Sequence, residues 1–360
     1  MKKMGMVGFL TIAGVLVFLN GCSAFNTASN IVPGQTDISS DFHAKVVRIM
    51  ADVERIRGLR LLHPIKYYII LDDEARKMGL EKTEKTKAFY TDNAVYFLKK
   101  NLTGDWDILA AHEFIHALQD QNFGLGKIKI PENDRDTSLA IEGLIEGDAV
   151  YTMILYAMEK EKPAVSKMIE NSSIVGRRGI FPMQTALKYK FGARFVEFLK
   201  KMGGWGAVNV AFTKYPPTGT FYLLHPEKYI MMQNVNLPEI LMATENIASV
   251  DTYGEIDLLY YLLETGISEA MAKSAVNGWA GGVVIKTKSS ETVTIIKWEN
   301  KNKLKEFSDI FSDAMNKKYG VAVKAEDDIF MWQTEKSILS LKINHINDST
   351  TISRNSRKNL

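Results

Sequence analysis

The segment 109-LAAHEFIHALQDQ-121 carries two histidines four residues apart, with a glutamate directly after the first. In a helix, positions i and i+4 lie on one face, so His112 and His116 can direct both imidazoles at one metal ion. Glu113 is rotated by about 100° from His112, which places it near a water molecule at the metal rather than among the ligands. A carboxylate there can take a proton from the water and later pass it to a leaving amine. The pattern H-E-x-x-H thus predicts a zinc site with its catalytic base.

The competing interpretation is an ordinary helix with two surface histidines. The surroundings favour the metal site, because no charged side chain other than Glu113 interrupts the span from Ile108 to Leu118. Polar groups in so apolar a helix are costly to bury without a metal or other partners. The side of the helix predicted to be buried consists of Ala110, Ala111, Phe114, Ala117 and Leu118.

A catalytic zinc site needs a third protein ligand and one open position. The segment 140-AIEGLIEGDAVY-151 offers Glu142 and Glu146, which again stand at i and i+4 on one helical face. Gly124, Gly126 and Pro131 leave room for the chain to turn between the two helices. Either glutamate can complete a His-His-Glu set, and a glutamate pair on a solvated helix face is the alternative.

A zinc hydrolase also needs a donor that stabilises the oxyanion of its tetrahedral intermediate. His225 in the segment LLHPEKY is the candidate, and the alternative is that it caps the turn before Pro226. Three tyrosines are weaker candidates that more often serve as packed aromatics, namely Tyr151, Tyr222 and Tyr229.

A histidine ligand is usually oriented by a hydrogen bond to its other ring nitrogen. Asp120, one turn beyond His116, is predicted to supply that bond, and Gln119 is a poorer choice. The remaining histidines look incidental and are His43, His63 and His345.

The segments HEFIHALQDQNFGL and LIEGDA resemble a bacterial family of predicted zinc metallopeptidases with an H-E-x-x-H-A-L-Q-D-Q helix and an A-L-x-E-G-D-A helix. The resemblance covers most of residues 50–335. It includes the hairpin AFYTDNAVYFL and the later segments GGW, LLHPEKY and NGWAGG. It implies a zincin-like fold of gluzincin type with one Zn²⁺ per chain. It assigns the ligand position to Glu146 rather than Glu142, and places Asp148, about 200° around the helix, in a supporting role.

The chain departs from this family in three segments. The stretch between the first strand and the hairpin is shorter, PPTGTFY replaces a Ser/Thr-Thr-Glu-Gln pattern, and GWAGG lacks a following acidic and basic pair. None of these touches the predicted metal residues, but all three can line a substrate cleft. The resemblance therefore leaves specificity open.

The N-terminus predicts export and a lipid anchor. Lys2 and Lys3 precede an apolar stretch that ends in Leu19-Asn20-Gly21-Cys22, which resembles the lipobox of bacterial lipoproteins. Cys22 is the only cysteine, so it cannot form an internal disulfide, and acylation gives it a membrane role. The alternative is an uncleaved signal anchor. Ser23 after the cysteine favours the outer membrane in a host that has one.

The predicted organisation is a signal peptide over 1–21, a tether over 22–40, one zincin-like domain over 41–343 and a frayed polar tail over 344–360. Helices are predicted over 41–57, 105–122, 137–160 and 303–318. Hairpins are predicted around Asp92-Asn93 and between 283–286 and 292–298, with further strands at 65–71, 329–332 and 338–343. This order indicates an α+β fold with a mainly helical body and a small C-terminal β region. The strand Ala94–Leu98 is a candidate edge strand for extended substrate.

Composition excludes some functions and leaves others open. The hydrophobic fraction of 46% suits a soluble globular protein, and the net charge of +3 is too small and scattered to argue for nucleic acid. The predicted function is a membrane-anchored zinc metallopeptidase of the cell envelope that hydrolyses a peptide or protein substrate. Two alternatives stay open: a non-catalytic envelope lipoprotein that keeps the fold for binding or assembly, and a zinc amidase acting on cell-wall peptides.

Overall fold

The computed structural model describes residues 39–78, 88–162, 174–176, 179–180, 182–235, 237–239, 244–326, 328–334 and 337–356. The predicted signal peptide, Cys22 and nearly all of the predicted tether lie outside these ranges. Where the sequence predicts one domain over 41–343, the described residues divide into two compact units. The first is drawn from Met1–Ile128 and Thr152–Ser166, and the second from Lys129–Tyr151 and Lys167–Leu360.

The first unit contains a three-stranded sheet and the helix of the H-E-x-x-H motif. Its elements are α1 (Ser40–Arg57), β1 (Lys66–Ile70), α2 (Asp72–Lys77), β2 (Ala88–Thr91), β3 (Ala94–Leu98) and α3 (Trp106–Phe123). Helix α4 (Arg135–Glu159) is divided between the units: its residues from Thr152 onward belong to the first unit, and those up to Tyr151 belong to the second. The predicted helices over 41–57, 105–122 and 137–160 are confirmed within two residues at each end.

The predicted hairpin is confirmed, but its second strand is not an edge. Asp92 and Asn93 have positive φ angles of 49° and 56°, as a tight hairpin turn requires. The strand order is β1-β3-β2, because β1 pairs with β3 in parallel while β2 pairs with it antiparallel. Both edges of Ala94–Leu98 are therefore occupied, and the prediction that this strand receives substrate is wrong.

The second unit combines a helical body with an antiparallel sheet of seven strands. The sheet order is β6-β7-β8-β12-β11-β10-β9, and every pairing in it is antiparallel. After the short pair β4 (Val175–Gly176) and β5 (Gly179–Ile180), the helical body consists of α5 (Met183–Ala186), a π-helix (Leu187–Gly192), α6 (Ala193–Thr213), α7 (Thr220–Leu224), α8 (Pro226–Ile230), α9 (Glu255–Leu263) and α10 (Glu269–Val276). The large sheet contains β6 (Ile247–Thr252), β7 (Trp279–Thr287), β8 (Thr292–Trp298), β9 (Val323–Glu326), β10 (Ile329–Gln333), β11 (Ser337–Asn344) and β12 (Ser349–Ser356), with α11 (Lys301–Tyr319) following β8.

These elements confirm the α+β class and correct the C-terminal prediction. The hairpin β7–β8, helix α11 and strands β10 and β11 occur where the sequence predicts them, but they belong to a large sheet rather than a small β region. The predicted frayed tail contains β12, which pairs with β8 on one side and β11 on the other. Strand pairing uses backbone hydrogen bonds, so a segment rich in Ser, Thr and Asn can still form a strand, and Thr350 and Ile352 are its buried contacts.

Buried aromatic rings join this sheet to α11. Phe307 stacks on Trp298 with ring centroids 4.4 Å apart, and Phe311 meets Trp332 edge-on at 5.9 Å. The Trp298 indole N–H donates to the Thr350 hydroxyl over 3.2 Å, so the buried ring also secures β12. No helix in the described ranges has both the length and the apolarity needed to cross a membrane.

The N-terminal end of α4 is fixed by a buried carboxyl group. Asp136 is 5% exposed and accepts hydrogen bonds from the backbone N–H and hydroxyl of Thr220, at 3.1 and 2.6 Å. Beside it, Arg135 pairs with the buried Asp257. Burial raises the pKa of Asp136 to about 7, although the hydrogen bonds from Thr220 oppose that shift.

Asp136→Asn is expected to flatten the pH dependence of stability. The folded pKa of about 7 lies above the ordinary 3.8, so between these values the folded chain holds a proton that the unfolded chain releases. This group therefore makes the free energy of unfolding fall as pH rises from about 4 to about 7. Urea unfolding across this range measures the slope. The exposed Asp313→Asn is the control, and an unchanged slope in Asp136→Asn would contradict the assignment.

Candidate metal centre

Helix α3 holds the H-E-x-x-H residues by burying its apolar side. Ile115 and its neighbours form that side, and the residues predicted for it are confirmed at no more than 1% exposure: Ala110, Ala111, Phe114, Ala117 and Leu118. In the first turn, Asp107 accepts a salt bridge from Lys162 at 2.9 Å. The helix ends at Gly124, whose φ of 66° allows its backbone N–H to bond to the Asp120 carbonyl at 2.7 Å.

Two imidazoles and one carboxylate converge: the histidines as the motif predicts, and Glu146 as the family resemblance implies. The ligand atoms of His112, His116 and Glu146 all lie within 4.8 Å of one another. The Nε2 atoms of the two histidines are 3.1 Å apart, and their rings are nearly perpendicular. His116 is 8% exposed and Glu146 is 4% exposed, while His112 is half-buried. Nitrogen and carboxylate donors gathered in this way can hold a divalent metal ion.

The structure brings one of the two candidate glutamates together with the histidines. Glu146 belongs to the converging group, as the family resemblance implies, whereas Glu142 does not. Glu142 and Asp148 are both buried on α4, at 8% and 0% exposure. Glu113 is half-buried on α3, directly after His112.

The hydrogen bond of His116 Nδ1 is accepted by Gln119, not by Asp120. His116 Nδ1 lies 2.9 Å from Gln119 Oε1, and the Gln119 side chain is fully buried. Asp120 instead accepts from the Tyr90 hydroxyl at 2.9 Å and from the Leu125 N–H at 3.1 Å. The prediction for Asp120 is therefore wrong. Its short side chain reaches the end of its own helix, whereas the longer Gln119 reaches the ring three residues back.

Gln121, the last residue of the segment ALQDQ, has a third set of hydrogen-bond partners. Its Nε2 donates to Asn93 Oδ1 at 2.6 Å, and its Oε1 accepts the backbone N–H groups of Leu62 and His63 at 2.7 and 3.0 Å. Gln121 thus ties the hairpin turn and the preceding loop to α3. These three consecutive polar residues thus contact the His116 ring, strand β2 and the hairpin turn, respectively.

Three glycines allow the close packing that determines where α4 presents Glu146. A Cβ atom on Gly147 would overlap the backbone of Gly192, including its Cα at 2.6 Å, and a Cβ on Gly192 would overlap the Gly143 carbonyl. A Cβ on Gly143 would also overlap the Leu223 side chain. The repeat Glu-Gly-Leu-Ile-Glu-Gly therefore marks a backbone-to-backbone contact, a small-xxx-small signal that was not read from the sequence.

His225 is held by a buried carboxylate. Its Nε2 lies 3.0 Å from both oxygens of Glu255, which is 1% exposed. Burial alone would lower the pKa of His225, but the hydrogen bond to Glu255 and its charge outweigh that effect and raise it. Tyr222 and Tyr229 donate their hydroxyls to the backbone carbonyls of Gln233 and Tyr215, so both are structural donors. The oxyanion role of His225 stays a prediction.

Two of the three segments that depart from the family pattern meet inside the second unit. Phe221, from PPTGTFY, lies 5.8 Å from Trp279, from GWAGG, measured between ring centroids. Together with Ala280 and Trp298 they line a cavity of about 200 Å³. Their aromatic floor is almost fully buried, so the segments serve packing as well as any role at the surface.

No protein-family model, curated protein or solved structure matches this chain. The family resemblance therefore rests on the quoted motifs, and the metal centre rests on its own geometry.

Gly147→Ala is expected to destabilise the protein and displace Glu146. The added methyl group overlaps backbone atoms of Gly192, which cannot move aside as a flexible side chain could. We expect this overlap to lower the free energy of unfolding by about 1–3 kcal/mol or more. Gly206→Ala, at an exposed position with open space, is the control and is expected to raise stability by up to about 1 kcal/mol. Thermal unfolding and metal titration of both variants measure these effects. Equal stability of the two variants would contradict the backbone contact.

Proposed function

We propose that the protein is a zinc metallopeptidase of gluzincin type, anchored by lipid on the extracytoplasmic side of the bacterial envelope. One observation carries the proposal: His112, His116 and Glu146 converge within 4.8 Å while Glu113 follows the first of them on the same helix. The resemblance of HEFIHALQDQ and LIEGDA to a zinc metallopeptidase family supports it.

The donor set suits zinc. Zinc accepts two histidine nitrogens and a carboxylate oxygen and keeps a fourth position open in catalytic sites. With Zn–N distances of about 2.0–2.1 Å, two tetrahedral nitrogen ligands stand about 3.3 Å apart. The 3.1 Å between the Nε2 atoms of His112 and His116 is close to that value. Two imidazoles and one carboxylate can also bind Fe(II), so metal analysis is part of the test.

The residues of the chain divide the reaction between them. A zinc ion held here would supply Lewis-acid polarisation of a scissile carbonyl and activation of a water molecule. Glu113 takes the proton from the attacking water and delivers it to the nitrogen of the leaving amine. His112, His116 and Glu146 would supply the metal ligands from two long helices, with His116 and Glu146 buried and His112 half-buried. Gln119 fixes the ring of His116.

Glu113 separates the peptidase from a non-catalytic binding protein. A site that only holds metal needs its ligands, and it does not require a second carboxylate beside them to act as a base. The same metal chemistry would hydrolyse the amide bonds of cell-wall peptides, so the substrate test includes both kinds of peptide.

Glu113→Gln is expected to bind about one zinc per chain, as the parent does, while hydrolysis falls by about 10²–10⁴-fold, because the amide cannot accept the proton. Zinc content by mass spectrometry and turnover on protein, peptide and cell-wall peptide libraries measure the two effects. Glu132→Gln is the matched control, since Glu132 is an exposed glutamate away from the motif. Glu146→Gln should lose the metal.

Three outcomes contradict this proposal in different ways. If the parent binds no zinc, the proposed zinc centre is wrong. If the parent retains iron, the identity of the metal and the proposed zinc chemistry are wrong. A parent that binds zinc but cleaves none of the libraries points to a binding protein instead.

The lipid anchor predicts that Cys22 carries fatty acid. Cells fed a labelled fatty acid should incorporate it into the parent and into Ser23→Ala, but not into Cys22→Ala, because the thiol is the acylated group. Gel analysis of the immunoprecipitated protein measures the label. Absence of label from the parent would favour the uncleaved signal anchor.

A further inference from the structure

We propose that Gln119 is a positioning residue for the metal centre: its side-chain oxygen fixes His116 as the tautomer whose Nε2 lone pair faces the metal. The inference rests on the proposed function, because it concerns how one ligand of that site is prepared. It assigns a role to a residue that the H-E-x-x-H pattern does not include.

The contact is short, local and dry. Gln119 Oε1 lies 2.9 Å from His116 Nδ1, within the normal range of a hydrogen bond. Gln119 is fully buried and His116 is 8% exposed, so water does not compete for either group. Both residues stand on α3 at i and i+3, where neighbouring side chains meet on one helix face.

The chemistry of the two groups decides the proton position. An amide oxygen only accepts hydrogen bonds, so Nδ1 of His116 must be the donor. A neutral imidazole carries one proton, which leaves Nε2 with a lone pair. Nε2 is also the atom of His116 that lies 3.1 Å from the other histidine ligand. The ring is therefore oriented and correctly protonated for coordination before any metal binds.

The other polar residues of the same helix end do different work. Asp120 receives the Tyr90 hydroxyl and the Leu125 N–H, and Gln121 binds Asn93 and the loop at Leu62 and His63. Gln121 is chemically identical to Gln119 and contacts no metal ligand in any of these bonds. Gln121 is half-buried, and it thus provides a matched control for losing a hydrogen-bonded amide from the same end of α3.

The test compares Gln119→Leu with Gln119→Glu and Gln121→Leu in the purified full chain. Leucine has a similar volume but no acceptor, whereas glutamate restores one. Zinc affinity is measured by competition with a chelator. The protonated ring nitrogen of His116 is read by long-range ¹H–¹⁵N NMR on metal-free protein labelled with ¹⁵N-histidine.

We expect Gln119→Leu to bind zinc about 10–100-fold more weakly than the parent, the usual effect of losing a partner that orients a ligand. Its His116 ring should no longer hold the proton on Nδ1 alone. Gln119→Glu should keep the parent's affinity and tautomer. Gln121→Leu should lower the thermal midpoint but change neither the affinity nor the tautomer.

The two readouts separate this inference from the proposed function. A parent ring protonated on Nε2, or a tautomer unchanged in Gln119→Leu, overturns the positioning role whatever the zinc result. Equal loss of affinity in Gln119→Leu and Gln121→Leu overturns it as well, because a general loss of packing then explains both. If the parent binds no zinc, but the Nδ1–H tautomer of His116 is present in the parent and lost in Gln119→Leu, the positioning role stands and the peptidase proposal fails.

Discussion

The backbone contact between Gly147 and Gly192 is the constraint on which the candidate centre depends. A Cβ at either glycine would overlap backbone atoms of the other segment, so α4 can neither slide nor rotate against the residues around Gly192. Glu146 precedes Gly147, and its direction from the helix follows from that fixed rotation. Upstream on the same helix, the buried carboxyl of Asp136 bonds to Thr220 and fixes the helix along its axis. Packing of the α4 backbone thus sets the position of the Glu146 carboxylate.

The cost of burying polar groups explains why the centre has its present composition. Glu146 is 4% exposed and His116 is 8% exposed, and a carboxylate removed from water without a cation is strongly unfavourable. A divalent ion bound here would offset this cost for both groups at once. Gln119 orients His116 through an oxygen that accepts the hydrogen bond from Nδ1.

Sequence patterns predicted those parts of the site that depend on local geometry. The i, i+4 spacing placed His112 and His116 together, and the apolar positions of α3 are buried as periodicity requires. Residue spacing alone did not distinguish Glu146 from Glu142, because both occupy one face of α4. The choice came from the family resemblance and agrees with the converging group. The glycines of the same segment carried the structural information, since they determine which side of α4 packs.

The failures come from contacts between residues distant in the sequence. Asp120 lies closer than Gln119 to His116 in angle around the helix, but its carboxylate bonds to Tyr90, thirty positions earlier on β2. The strand Ala94–Leu98 was predicted as an edge because β1, which pairs with its other side, is separated from it by more than twenty residues. Residues Ser349–Ser356 were predicted as a tail because their composition is polar, yet β8 and β11 supply two sets of backbone partners. Composition reports what a segment can bury, whereas pairing also depends on what the rest of the sheet leaves open.

The segment ALQDQ shows how these levels combine. Helical periodicity requires only that its alanine and leucine face the core, and leaves the three polar residues unassigned. The fold gives each of them a different partner: a ligand ring, a strand and a hairpin turn. Because Gln119, Asp120 and Gln121 stand at successive positions about 100° apart, they point in different directions around α3. The end of that helix is therefore held from several sides, which limits the movement of the His116 ring.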